Sequence, residues 1–413
     1  RTIDPDTVAL RFAPGFSFAC TGCGGCCHGQ NIGPVDAEVV AALQASPDPA
    51  IEALQERYGS LFRRVREEDG ATAQLCRLGA TGCAFLREDL LCAIHGSLGA
   101  AAKPSLCRLF PYVFIQTLDG VDVSVVLECR DYGAAKAAGR SVAGDPGALE
   151  AEIRPLLGLP GAVAPLPARI PIAPNLDVSW PEYRAWEEQA IAIISAWREG
   201  SFMDLHARII ASLALAFGLP LGSRRAERAP GEAGPEAPLT ALTAGLVRDL
   251  ERVLADVPSP EGEPAVATQA WIRVLIDATT MTGVYAERTA SPRLDEELRA
   301  LLRDAYANHL FAKGWAAFGS VALGVAVIGL LGATSLNLAH HFARLGLRNK
   351  VVSRDLDDAT SVVFSQARHT LLHHVLMMNS EHVLDAFLFE APSLEGAWRG
   401  LAASWSGPEF YPI

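Results

Sequence analysis

Apolar and polar positions follow two different rhythms along this chain. Over residues 112–118 and 121–128, β-branched and aromatic residues form two short runs separated by Asp119-Gly120. That dipeptide is a hairpin signal, so the pattern predicts two antiparallel strands. Further on the spacing becomes helical. Trp186, Ile191, Ile194 and Trp197 predict a helix over 182–198. A second is predicted over 202–217, closed by Gly218 and Pro220, with others over 239–256, 266–288, 294–318 and 360–390. A shorter helical stretch covers 35–58. Residues 141–180 read as a connector, because Pro160, Pro165, Pro167, Pro171 and Pro174 forbid a long helix there. Residues 227–238 read as an exposed loop, and the aromatic tail after Pro392 is expected to pack back on the body.

One apolar run stands apart. Residues 314–339 contain no Asp, Glu, Lys or Arg. Their length and apolarity permit a membrane span, which would suit a membrane-associated redox component. The run lacks an aromatic belt at its far side, ends at Asn337, His340 and His341, and lies among helices of soluble character. The expectation is therefore a buried helix or helical pair, with Gly319, Gly324, Gly329 and Gly332 marking close packing or breaks.

The predicted fold class is mainly α. A cysteine-rich metal- or iron–sulfur-binding domain with a small β-hairpin spans 1–140, the proline-rich connector spans 141–180, and a predominantly helical domain spans 181–413. The 413 residues allow two or three domains, and an apolar half excludes global disorder. Thirty-five basic against 47 acidic side chains give a net charge of -12, which argues against a nucleic-acid binder that neutralises phosphates. No signal peptide is visible, so a cytoplasmic location is expected, and there thiols favour metals over disulfides.

All nine cysteines lie within the first 129 residues: Cys20, Cys23, Cys26, Cys27, Cys76, Cys83, Cys92, Cys107 and Cys129. The opening C-x2-C-x2-C-C run places four sulfurs in eight residues, interleaved with Gly22, Gly24 and Gly25. Thiolates are the ligands that soft and borderline metals prefer, and glycines let a backbone bend around such a centre. In a regular backbone Cys27 faces away from Cys26. The later thiols are separated by 6, 8, 14 and 21 residues, so only the fold could gather them. The pattern predicts bound metal, as an iron–sulfur cluster or as zinc; spacing does not separate the two. Disulfides or inert buried thiols are the competing reading, although adjacent Cys26 and Cys27 would be awkward disulfide partners. His28 and His95 adjoin the thiols, and Arg108 follows Cys107, where it would offset cluster charge or bind an anionic group. His369 and His373 can share one helix face and offer a possible metal edge, with His374 and His382 near them in sequence, but the cluster fits ordinary helix residues better. Core packing is the expectation for Tyr306, Asn308 and Trp315.

The blocks FACTGCGGCCHG and CAFLREDLLCAIHGSLGAAAKPSLCRLFPY resemble the bacterial CxxCxxCC domain family, described as zinc- or iron-chelating, over residues 16–132. The longer layout, cysteine domain then helical region, resembles that family's flagellin lysine-N-methylase branch. The resemblance implies Cys20, Cys23, Cys26, Cys27, Cys83, Cys92, Cys107 and Cys129 as ligands, with Cys76 less closely matched. It sets Arg108 and Pro111 in the family's central motif. It further implies an iron–sulfur protein, with a cluster of the 4Fe-4S kind, acting as a protein lysine N-methyltransferase. S-adenosylmethionine would be the methyl donor and a lysine side chain of a protein the substrate. An open iron site would hold the donor's amino and carboxylate groups. No Gly-rich loop of an α/β nucleotide-binding unit is seen; GLLGAT at 329–334 lies in helical context. The alternative is a zinc-stabilised binding or scaffolding protein without catalytic activity.

Overall fold

A computed structural model of the chain describes residues 3–28, 32–66, 71–79, 82–142, 144–200, 202–219, 237–256, 295–348 and 350–369, with isolated positions between 273 and 376. The described residues are mostly helical, with a mixed β-region towards the N-terminus. The strands are β1 (Leu10–Phe12), β2 (Ser17–Phe18), β3 (Phe62–Arg66), β4 (Thr72–Cys76), β5 (Tyr112–Gln116), β6 (Val121–Val125), β7 (Arg140–Ser141), β8 (Val163–Pro165), β9 (Ile170–Ala173) and β10 (Leu176–Val178). The helices of the front are α1 (Ala37–Gln44), α2 (Pro49–Tyr58), α3 (Ala93–Leu98), α4 (Ser105–Leu109), α5 (Tyr132–Ala138) and α6 (Pro146–Leu157). Those of the back are α7 (Trp180–Ser195), α8 (Phe202–Phe217), α9 (Ala237–Asp256), α10 (Glu296–Phe311), α11 (Val321–Leu345) and α12 (Ser353–His369).

The predicted hairpin is present. β5 pairs antiparallel with β6, Tyr112 opposite Val125 and Gln116 opposite Val121. Gly120 at the turn adopts φ 136°, and a Cβ there would lie 2.2 Å from the Ala9 carbonyl oxygen. Glycine is required at that close approach. The hairpin is extended on both sides by parallel partners that no local pattern announced: β1 joins β6 and β8 joins β5. All five residues of β6 are buried: the strand lies between β1 and β5 in the sheet, and α10 packs against it. Two-stranded ribbons β2–β7, β3–β4 and β9–β10 complete the β-region.

Local signals explain five of the helix starts. Asp48 accepts from the amides of Ala50 and Ile51 at the start of α2, with Pro49 at its first position. Glu182 reaches back to the Ser179 amide at 2.8 Å to open α7. Asp295 and Ser320 cap α10 and α11. Two helices replace the single stretch expected over 35–58. Within 141–180, α6 forms ahead of Pro160, with Asp145 as its cap and Pro146 at its first position. α12 starts at Ser353, ahead of the predicted 360. The predicted 266–288 helix, most of the 360–390 helix beyond 369, and the loop and tail predictions lie outside the described residues.

The apolar run opens with a 3-10 turn over Gly314–Phe318, breaks at Gly319, whose φ is 81°, and continues as one unbroken helix, α11, from Val321. α11 is long and apolar enough to cross a membrane, and its most apolar window is wholly covered by protein. Of the four glycines, Gly319 marks a break and the three inside α11 mark close packing. Gly324 faces Trp315, Gly329 faces the ring of His206, and Gly332 faces Phe202. Trp315, Tyr306 and Asn308 are core residues as expected. Asn308 has a further duty: its side chain accepts from the Val125 amide at 3.2 Å and donates to the Val125 carbonyl at 2.5 Å, fixing α10 to β6.

Two apolar cores result. The larger joins β1, β5 and β6 to the back helices. The smaller, built on Leu43, Ile51, Leu61, Phe62, Phe85 and Ile94, lies under the cysteine-rich loops.

Candidate functional site

The thiols divide between these cores. All nine are free. Cys76 and Cys83 are buried in the smaller core, with Cys27, Cys92 and Cys107 packed on its edge. Cys129 is buried in the larger core. Cys20 is exposed, while Cys23 and Cys26 are partly covered.

Local geometry follows from glycine and from strand pairing. Gly22 and Gly24 adopt φ 70° and 67°, turning the chain twice within the opening run. A single 3-10 turn over Gly25–Cys27 follows. It brings the Cys26 and Cys27 sulfurs to 3.9 Å, which overturns the expectation that they face apart. The Cys83 amide donates to the Cys27 carbonyl at 2.7 Å, stitching the loop to the next thiol segment. Cys76 ends β4 opposite Phe62, beside the Cys83 thiol. Cys92 bridges back to Leu86, and Cys107 sits on α4, whose first amide donates to Asp36 at 2.7 Å. Arg108 follows it on the same short helix, half-buried.

The electrostatics separate one thiol from the rest. The Cys27 thiol's hydrogen bond brings Cys26 down to about 7 against the cost of burial, and Lys103 lowers it further. That same bond, then burial, pushes Cys27 strongly up. The Cys76 contact, then burial, does the same to Cys83. Burial pushes Cys107 and Cys129 up to about 12.

The segment after Cys129 is held from the back of the chain. Ser361 donates to the Glu128 carbonyl at 2.7 Å, Arg130 pairs with Asp358 at 2.6 Å, and Arg354 pairs with Asp131. Both oxygens of Asp357 face the Gly133 amide, at 3.1 and 3.2 Å. Burial lifts Asp357 from its ordinary 3.8 to about 7, against the opposing pull of that amide and Arg354. Because the folded value is the higher one, stability from this group is fully present below 3.8 and is lost as pH rises through 7. Asp357→Asn should flatten that fall, which urea midpoints of both proteins at about pH 5 and about pH 8 would show.

The thiols feel one another's charge but do not converge. Among the described residues, no group of three or more His, Cys, Asp or Glu side chains is arranged to hold a metal ion. This corrects the expectation that Cys20, Cys23, Cys26, Cys27, Cys76, Cys83, Cys92, Cys107 and Cys129 surround a metal. The physical reason is burial in separate places: Cys76 and Cys83 lie in the smaller core, Cys92 and Cys107 at its edge, and Cys129 in the larger core. The described donors therefore do not fit a resident iron–sulfur cluster, of the 4Fe-4S kind or otherwise, or a zinc ion. The iron–sulfur methyltransferase reading falls with them, as does the open iron site for S-adenosylmethionine, and so does the zinc-stabilised scaffold. His28 is half-buried and His95 exposed, while His373, His374 and His382 lie outside the described residues. The sequence pattern gave no sign of His206, which is fully buried, held at about 3 by burial, and 2.7 Å from the Tyr306 hydroxyl.

No curated protein and no solved structure matches the chain. Residues 19–131 match a family model, "CxxCxxCC: Putative zinc- or iron-chelating domain", which covers the thiol-bearing segment and stops ahead of the helical body.

Proposed function

We propose that the cysteine module is a thiol–disulfide exchange unit in which Cys26 and Cys27 are the working pair. The observation that carries this reading is the 3.9 Å separation of their sulfurs on a partly exposed turn. The Cys26 sulfur attacks one sulfur of a low-molecular-weight disulfide. A Cys26 mixed disulfide forms, the external S–S bond breaks, and the departing thiolate takes up the proton shed by Cys26. The Cys27 sulfur then displaces the second external thiol in the same way. The external disulfide is reduced to two thiols, and the module is oxidised by two electrons. Closure needs the sulfurs to approach from 3.9 Å to a bond of ~2.05 Å; adjacent Cα atoms stand ~3.8 Å apart, closer than in an ordinary disulfide, so the turn that Gly24 and Gly25 open must rearrange to admit the bond. Kinship with the flagellin lysine-N-methylase branch would concern layout alone, a cysteine module ahead of a helical body.

The test is anaerobic titration of the reduced full chain with oxidised glutathione, acid quenching, alkylation and peptide mass mapping. The expected product is an intrachain Cys26–Cys27 disulfide. Cys27→Ser should stop at a glutathione adduct on Cys26. Full alkylation of both cysteines after prolonged exposure would overturn the reading.

A further inference from the structure

We propose that α12 positions the thiol loop over residues 20–27 and sets how readily Cys20, Cys23 and Cys26 react. Four contacts join this helix to residues 128–133, and two of them continue into the loop. The first runs through Asp131. Arg354 of α12 pairs with Asp131, whose other oxygen accepts from the Thr21 hydroxyl at 2.6 Å. Thr21 lies between Cys20 and Cys23. The second runs through Arg130. Asp358 binds the Arg130 guanidinium at 2.6 Å, and the aliphatic stem of Arg130 lies against Gly25. A Cβ on Gly25 would meet Arg130 Cβ at 2.8 Å and the Cys23 sulfur at 3.4 Å. The Gly25 amide itself donates to that sulfur at 3.4 Å. Asp358 also holds Arg354 at 3.2 Å, so the two routes share one carboxylate.

The remaining contacts fix the platform. Asp357 receives the Gly133 amide, and Ser361 grips the Glu128 carbonyl. On the other side Lys136 pairs with Asp304 of α10 at 2.9 Å. The thiol loop thus rests on a segment whose place is set by side chains more than 220 residues away in sequence. Such coupling is reciprocal: whatever α12 does to the loop, a change at the loop does to α12. A chemical event at the thiols is in this way felt by the helical body. The coupling stands whether or not Cys26 and Cys27 exchange with disulfides.

The experiment measures alkylation rates of individual cysteines in the reduced full chain, by pulsed iodoacetamide and mass mapping. Asp358→Arg should speed Cys20, Cys23 and Cys26 by about three- to five-fold, the scale of a partly exposed ion-pair network, and leave Cys92 unchanged. Asp358→Glu, which keeps the carboxylate shared by Arg130 and Arg354, should hold the rates near the parent's, which a merely structural lesion at this position would not allow. Arg354→Gln is the milder variant should Asp358→Arg fail to fold, with the same three cysteines accelerated. Unchanged rates in Asp358→Arg, a uniform rise that includes Cys92, or an equal rise in Asp358→Glu would each overturn the proposal. The glutathione titration reads a different event, formation of a bond, so either idea can fail alone.

Discussion

Replacing Lys313 by Met should destabilise the protein by about 3–5 kcal/mol, read as a lowered urea midpoint at an unchanged slope. The Lys313 side chain is 0% exposed. Its ammonium donates to Asp122 at 2.5 Å and to the Phe311 carbonyl at 2.6 Å, and pairs with Glu187 at 2.9 Å. Arg11 reaches the same carboxylates from β1, with two 2.8 Å bonds to Asp122 and a 3.5 Å approach to Glu187. Tyr183 donates to Glu187 at 2.9 Å, and Trp315 donates to Tyr183 at 2.8 Å. Two cations and two carboxylates balance, and aromatic faces of Phe311 and Trp180 lie 4.5 and 5.5 Å from the ammonium. Removing Lys313 leaves two buried carboxylates sharing one guanidinium. Burial already pushes Glu187 up, and Lys313 is the strongest group pulling it down. Lys313 also occupies a left-handed backbone conformation, φ 54°, which its side-chain bonds hold in place. Lys313→Met with Asp122→Asn should be less harmful than the sum of the two single changes, because the double variant strands less charge. Additive losses would show that the network is not one unit.

The sequence pattern reveals the parts of this fold whose causes are local. Asp119-Gly120 specifies the hairpin, and the apolar spacing over 202–217 gives α8 to the residue. It conceals what depends on distant partners. Leu10–Phe12 is too short to read as a strand, and its parallel partner β6 lies more than a hundred residues on. Asp122 looks like the solvent-facing member of an alternating strand, yet it is buried because Lys313 and Arg11 are brought to it. The thiols show the same division. Their number and concentration are plain in the chain, and C-x2-C-x2-C-C reads as chelation. The same residue type is also an excellent small core residue, and Cys76, Cys83 and Cys129 are used that way. The approach of Cys26 to Cys27 depends on left-handed conformations at Gly22 and Gly24, which glycine permits but does not announce. The hold of α12 on residues 128–133 has no sequence signal beyond its charges.

Gly324→Ala tests the closeness of packing along α11, and its expected sign is the informative part. In an exposed helix this exchange stabilises by about 1 kcal/mol, since alanine restricts the unfolded chain and favours helix. At Gly324 a Cβ would lie 2.3 Å from both Cα and Cβ of Trp315. Those are atoms at the root of a side chain, so the helix and the 3-10 turn at Gly314–Phe318 would have to separate. Trp315 cannot swing aside, because it is buried with its indole N–H on Tyr183, inside the same polar network that holds Lys313. The net effect should be a loss of about 2–3 kcal/mol, overpacking exceeding the gain in propensity. Gly332→Ala should cost less, because its nearest neighbour is the tip of the Phe202 ring, at 2.3 Å, and a ring tip can shift. Urea denaturation of both variants beside the parent gives the ranking. A stabilised Gly324→Ala protein would mean that α11 and the Trp315 turn do not lie against each other as the fold has them, and the buried charges beneath Trp315 would then lose their roof.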